Sequence, residues 1–173
     1  MPLLDHTGLI PDRFTRADLA TLSAVEAPLV PWLQVRDAVA VRRPNQALGV
    51  AIPNTVAATD VAPLLPHLAL IAIDFPSFAD GRGFSLAHHL RRDGFQGRLR
   101  AVGPVIADQF AYARACGFDE VEPTDAVLAR QPVEVWMAAL AAISHTYQPG
   151  FTARGASILE RRRASQSQVG AAA

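Results

Sequence analysis

Residues 68–122 read LALIAIDFPSFADGRGFSLAHHLRRDGFQGRLRAVGPVIADQFAYARACGFDEVE, and in them an apolar run, a loop and a helical run follow one another twice. Leu68 to Ile73 is continuously apolar, the pattern of a strand buried on both faces, and Asp74-Phe75-Pro76 closes it. After the loop SFADGRGFS the pattern predicts a helix from Ser85 to Asp93, a strand from Arg98 to Val102 and a helix from Val105 to Cys116. Glu120 to Glu122 forms a further short strand. Asp93-Gly94-Phe95 and Cys116-Gly117-Phe118 each put glycine just past a helix end, where a left-handed residue is needed. The two glycines are 23 residues apart, the length of one strand–helix unit. Alternating strands and helices with buried strands imply an α/β fold with a mainly parallel sheet and right-handed crossovers. An open doubly wound sheet and a half-barrel both fit this pattern.

Outward from this stretch the signals are shorter. Leu48 to Ile52 (LGVAI) is an apolar run closed by Pro53-Asn54 and reads as a strand. Thr59 is placed to cap a brief helix reaching about His67. Val30 to Ala40 reads as a short helix opening after Pro31, with Val30, Leu33 and Ala38 as its apolar positions. Residues 15–27 read as loop or a short helix. Residues 1–14 read as a hairpin, with Leu3-Leu4 and Leu9-Ile10 on either side of a turn from Asp5 to Gly8. Downstream, Thr124 caps a turn of helix. Pro132 opens a last helix to Tyr147, with Val133, Trp136, Met137, Leu140 and Ile143 on one face. One domain over 1–147 is expected, followed by a mobile tail over 148–173 that carries Arg161-Arg162-Arg163.

Composition narrows the chemistry. Of the 173 residues 50% are hydrophobic and 18% charged, and the formal net charge is zero. A nucleic-acid or membrane-surface binder would show a basic excess, so neither partner is expected. All 16 basic residues are arginine, which removes Schiff-base and lysine-nucleophile mechanisms. Cys116 is the single cysteine, so a disulfide within the chain and a thiol metal cluster are excluded. MPLLDHTGLIPDRF lacks the basic start and apolar run of a signal peptide, and the longest apolar runs fall far short of the ~20 residues of a bilayer span. A cytoplasmic location is the expectation.

The loop Asp80-Gly81-Arg82-Gly83-Phe84-Ser85 is the foremost candidate site. It follows a buried strand and opens a helix, where free backbone N–H groups and the dipole attract anions. Its glycines would let a ligand approach the backbone, and Arg82 would grip an oxyanion or phosphate with paired hydrogen bonds. The alternative is a turn in which Ser85 caps the helix and Arg82 pairs with Asp80 or Asp74. The glycine spacing matches neither the Walker nor the dinucleotide pattern. Arg91, Arg92, Arg98 and Arg100 follow. Arg98 and Arg100 share one face of their strand and, if it is buried, need partners or a wet cleft, with Asp74 and Asp108 as candidate partners; exposed arginines at a strand edge are the alternative. Asp108 and Gln109 lie in the first turn of the next helix, within reach of the same end of the sheet. Cys116 falls at helical spacing with Ile106, Phe110 and Ala113, so its thiol faces the core. His88 and His89 are adjacent and diverge on a helix, and no metal site is expected.

The stretch from Leu70 to Glu122 resembles a bacterial family of unknown function whose genes lie beside assimilatory sulfite reductase. Its members are often labelled probable oxidoreductases involved in sulfite reduction. The shared positions include Phe75, Pro76, Phe78, Asp80, Gly81, Arg82, Gly83, Ser85, Arg91, Gly94, Gly97, Arg100, Gly103, Asp108, Gln109, Cys116, Gly117 and Asp119. Phe84 departs from a usual tyrosine, Pro104 from a usual acid, and Ala115 from a usual arginine. The resemblance implies an accessory protein of sulfate assimilation toward cysteine. In it Asp80, Gly81, Arg82, Gly83, Ser85, Arg91, Arg100, Asp108 and Gln109 would line a site for a small anion. Sulfite reductase or another sulfate-assimilation enzyme would be the partner. A small oxidoreductase with a cofactor of unknown identity and a non-catalytic interaction module are the alternatives, and the resemblance carries over no catalytic residue.

Overall fold

A computed structural model describes residues 2–142. Leu70, Ile71, Ala72 and Ile73 are all fully buried, as the continuous apolar run requires. They belong to β6 (Leu70–Asp74), which is hydrogen-bonded on both sides to β5 (Gly49–Pro53) and β7 (Arg98–Gly103). Outside these lie β4 (Pro28–Pro31) with β3 (Thr15–Arg16), and β8 (Glu120–Pro123) with the hairpin β1 (Leu3–Asp5) and β2 (Gly8–Ile10). The eight strands run β2-β1-β8-β7-β6-β5-β4-β3 across one sheet. From β3 to β8 every pairing is parallel, and β1 pairs antiparallel with β8 and β2.

The strand order settles the architecture. From β3 to β8 neighbours in the sheet are neighbours in the chain, so each right-handed crossover steps the same way and all connections lie on one face. A doubly wound sheet would reverse direction once, and no such switch point occurs here. The fold is a half-barrel. Its curvature follows from one short connection: residues 11–14 join β2 at one edge to β3 at the other. Seven inter-strand gaps would set these edges about 34 Å apart in a flat sheet, whereas the steps from Ile10 to Thr15 reach only about 18 Å.

The two faces differ in chemistry. On the outer face Val50, Ile52, Ile71, Ile73, Leu99, Ala101 and Val121 form the main core. They pack beneath α1 (Val35–Val41), α2 (Ala58–Val61, continued as a 3-10 turn over Ala62–His67), α3 (Arg82–Arg92), α4 (Ala107–Ala115), α5 (Asp125–Arg130) and α6 (Val133–Ala142). On the inner face Leu29, Leu70, Ala72 and Val102 make a smaller cluster with Phe14 and Ala51. There the alternate positions of β7 and β8 are charged.

Both glycine stops form as read. Gly94 (φ 94°) and Gly117 (φ 108°) are left-handed, and Phe95 N–H donates to Leu90 O and Phe118 N–H to Ala113 O, each at 3.0 Å. Thr124 Oγ1 caps α5 by accepting from Val127 N–H.

Five local readings need correction. Val30 lies in β4, paired with Val50, and the helix expected from it begins only at Val35 after a 3-10 turn over Trp32–Gln34. Leu33 is 92% exposed and not a core position. Thr15–Arg16 is a strand inside the segment read as loop or helix. Thr59 sits inside α2, whose N-cap Ala57 has no capping side chain. α3 starts at Arg82, so Ser85 lies within the helix and does not cap it. The predicted extension of α6 to Ile143 and Tyr147, and the tail over 148–173, lie outside the described residues.

Candidate functional site

The carboxyl ends of β5, β6 and β7 are organised around Phe75. Its N–H donates to Val102 O at 2.7 Å, and its ring packs 4.9 Å from Phe84 and 5.9 Å from Phe118. A Cβ on Gly83 would overlap that ring, and one on Gly103 (φ 122°) would overlap the Phe75 carbonyl. Gly83 and Gly103 thus make room for Phe75. Gln109 fixes the loop that follows: its Nε2 donates to Phe78 O at 2.6 Å while its Oε1 accepts from Ile106 N–H at the start of α4.

In the predicted loop, Arg82 is paired with Asp80. Nε donates to Oδ1 at 3.0 Å and Nη2 to Oδ2 at 2.6 Å, and Arg82 N–H also donates to Oδ1. Hydrogen bonds from Arg82, helped by the nearby Asn54 amide, hold the Asp80 carboxyl well below the usual carboxylate range. The positive end of α3 is therefore already met by the protein's own carboxylate, so the helix terminus alone does not make an anion site. The Arg82 guanidinium keeps Nη1 free of any described partner, and its side chain is largely exposed.

Beside it stands Asn54, just past β5. It is 6% exposed, and its Nδ2 makes no hydrogen bond of adequate geometry. A buried donor in this state costs about 1–3 kcal/mol. Asn54 and Arg82 line a cavity of about 520 Å³ with Thr55, Asp74, Pro76 and Gly103. A second cavity of about 470 Å³ adjoins it, lined by Trp32, Leu29, Pro31, Ala51 and Arg16, and shares Pro53 and Asp74 with the first. Both volumes are typical of small-molecule sites. Burial pushes the Asp74 carboxyl up, Arg16 pulls it down and Glu122 pushes it up again, with a net rise.

Arg100 lies on the inner face and does not join the loop. Its guanidinium is 1% exposed and is held by three carboxylates: Nε donates to Glu120 at 2.8 Å, Nη1 to Glu122 at 2.9 Å, and Nη1 and Nη2 to both oxygens of Asp12 at 2.7 Å. Arg98 bonds Glu120, and Arg16 reaches from β3 to Glu122 at 2.9 Å. Three arginines face three acids, so the patch is self-neutralised. The partners of Arg98 and Arg100 are thus Glu120, Glu122 and Asp12; Asp74 and Asp108 do not serve, because the register sets Arg100 beside Glu120 on the adjoining strand.

Arg91 also lies elsewhere. It donates to the carbonyls of Phe95, Gly97 and Gly117 and to Asp119, tying the C-terminal end of α3 to the starts of β7 and β8. That is the end of the sheet opposite the loop. Of the predicted site residues, Asp80, Gly81, Arg82, Gly83 and Ser85 stay together at the rim, with Gln109 bound to their loop and Asp108 beside it in the first turn of α4. Asn54 escaped the sequence reading as a site residue, although it immediately ends a predicted strand, and Asp74 reads in the sequence only as the end of its strand and a partner for arginine. Glu120 and Glu122 carried a usable signal: they alternate along their strand just as Arg98 and Arg100 do along theirs.

Cys116 is buried, with its thiol pushed up by burial. Among the described residues no three His, Cys, Asp or Glu side chains are grouped to hold a metal, and no helix is long and apolar enough to cross a membrane.

A family model described as a bacterial protein of unknown function, DUF934, matches residues 49–157. The match opens at the first residue of β5 and takes in residues 80–85 and the Phe75 cluster. No curated protein matches the chain.

Proposed function

We propose that this chain, which belongs to the bacterial DUF934 family of unknown function, is an accessory protein of assimilatory sulfite reduction that binds a small oxyanion between Asn54 and Arg82. The observation that carries the anion site is the buried Asn54 Nδ2, which stands near the Asp80 carboxylate without a hydrogen bond of full geometry, on a cavity shared with a guanidinium that keeps one nitrogen free. A sulfur oxyanion or phosphate would satisfy that donor and take a charge-assisted bond from Arg82 Nη1. The assignment to sulfite reduction rests on the resemblance over residues 70–122. Arg100 takes no part, since its guanidinium is spent on Asp12, Glu120 and Glu122.

Thermal melting of the full chain with sulfite, sulfate and phosphate tests the site. A ligand bound only by the folded state adds about 2.7 kcal/mol at a hundredfold excess over Kd. We expect a melting shift with at least one of these anions and none in Arg82→Ala or Asn54→Ala. Asn54→Ala should change the ligand-free melting temperature only slightly, because removal of an incompletely satisfied buried donor offsets loss of its weak contact with the Asp80 carboxylate. No shift with any anion would overturn the site. Copurification with sulfite reductase, lost or kept in Arg82→Ala, tests the partner.

A further inference from the structure

The Asn54–Arg82 site is one end of a longer groove. The two rim cavities share Pro53 and Asp74 and meet there. They differ in chemistry. The Arg82 end offers an amide donor without a hydrogen bond of full geometry, and a guanidinium. The other end is walled by Leu29, Pro31, Ala51 and Trp32, with Arg16 at its side. Arg16 bonds Glu122 at 2.9 Å, which keeps its guanidinium beside an apolar pocket that also carries an indole. Such surfaces favour a planar ring.

Asp74 stands between the two ends. Among the described residues no protein group donates a hydrogen bond to its carboxylate, although the groove buries part of it. Its charge repels an anion from the middle of the groove and favours hydroxyl donors there. A carboxylate at a strand end takes ribose hydroxyls in other α/β folds.

We infer that the groove takes a ligand of the mononucleotide class. Its ring lies between Trp32 and Arg16, its sugar hydroxyls donate to Asp74, and its phosphate or sulfate group reaches Asn54 and Arg82. This reading rests on the anion site proposed above and names the class of molecule that carries the anion.

The test titrates the full chain with AMP, GMP, CMP and UMP, and with the corresponding nucleosides and inorganic phosphate. Melting and tryptophan fluorescence are both followed. Trp136 is fully buried and supplies a constant background, so a change in emission reports Trp32. We expect at least one mononucleotide to bind about tenfold or more tightly than its nucleoside or phosphate alone. Asp74→Ala should weaken the nucleotide but not phosphate, and Arg82→Ala should weaken both. Trp32→Phe should abolish the emission change while keeping the melting shift. If phosphate or sulfite binds and no mononucleotide improves on it, the groove reading falls and the anion site stands. If a nucleoside binds as tightly as its nucleotide, or nothing binds, both readings fall.

Discussion

Phe75 occupies space that two glycines keep open, Gly83 at its ring and Gly103 at its carbonyl. Because a Cβ on Gly83 would enter the ring itself, Gly83→Ala should cost about 1–3 kcal/mol through overpacking, read by chemical denaturation. Gly81 has no atom within 4 Å of a would-be Cβ, so Gly81→Ala is the control that should be close to neutral. Asp74 makes the opposite prediction. Its folded-state pKa is raised, so ionised Asp74 disfavours folding above that value and has no effect below 3.8, where it is protonated in both states. Asp74→Asn should therefore raise stability at pH 7, by less than about 1 kcal/mol because solvent screens the exposed carboxyl. The gain should vanish as pH falls below 3.8. A gain that grew in acid would show that the carboxylate is stabilised, not strained. Neither residue could be read in full from the chain. The glycine spacing was visible, but the ring that Gly83 faces lies in the preceding turn and is placed there by β7.

The ends of α3 and α4 are a contrasting case, since helix stops are written in a few consecutive residues. Gly94 and Gly117 adopt the same conformation with the same backbone bonds, yet they should respond differently to alanine. A Cβ on Gly94 meets nothing, so Gly94→Ala should cost only the strain of a left-handed residue, about 1–2 kcal/mol. A Cβ on Gly117 would also sit 2.5 Å from Arg91 Cγ. Gly117→Ala should cost more, because Arg91 is held by three carbonyls and Asp119 and cannot easily move aside. Paired denaturation curves decide this, and equal losses would mean that the Arg91 clamp yields. The strands β3 and β4 show the limit of local reading. They have two and four residues, and β4 is bounded by prolines. Only pairing with β5, about twenty residues on, makes Val30 a strand residue.

Across the whole molecule, the Arg100 cluster ties the segment 11–14 to the sheet it crosses. Asp12 comes from that segment, Glu120 and Glu122 from β8, and Arg16 closes across from β3. Removing Arg100 would leave three acids facing one another in a buried site, and Arg100→Met should cost about 3–5 kcal/mol. The cluster also sets an acid dependence. Burial pushes the Asp12 carboxyl up, but the hydrogen bonds from Arg100 and Phe14 N–H outweigh it and the net pKa is lowered. Its contribution is fully present above 3.8 and is lost as pH falls through the lowered folded value. Urea midpoints between pH 7 and pH 2 should fall in acid for the native chain and show less of that fall in Arg100→Met. An unchanged acid profile in the variant would place the acid sensitivity elsewhere. The sequence by itself determined the central strand–helix alternation, the buried character of β6, the N-terminal hairpin and both glycine stops, because each is carried by neighbouring residues. Only the tertiary structure decided between a doubly wound sheet and a half-barrel, paired Arg100 with Asp12, and set Asn54 beside Arg82. Those outcomes depend on the order of strands and on which edges a four-residue connection can reach, and no local pattern records either.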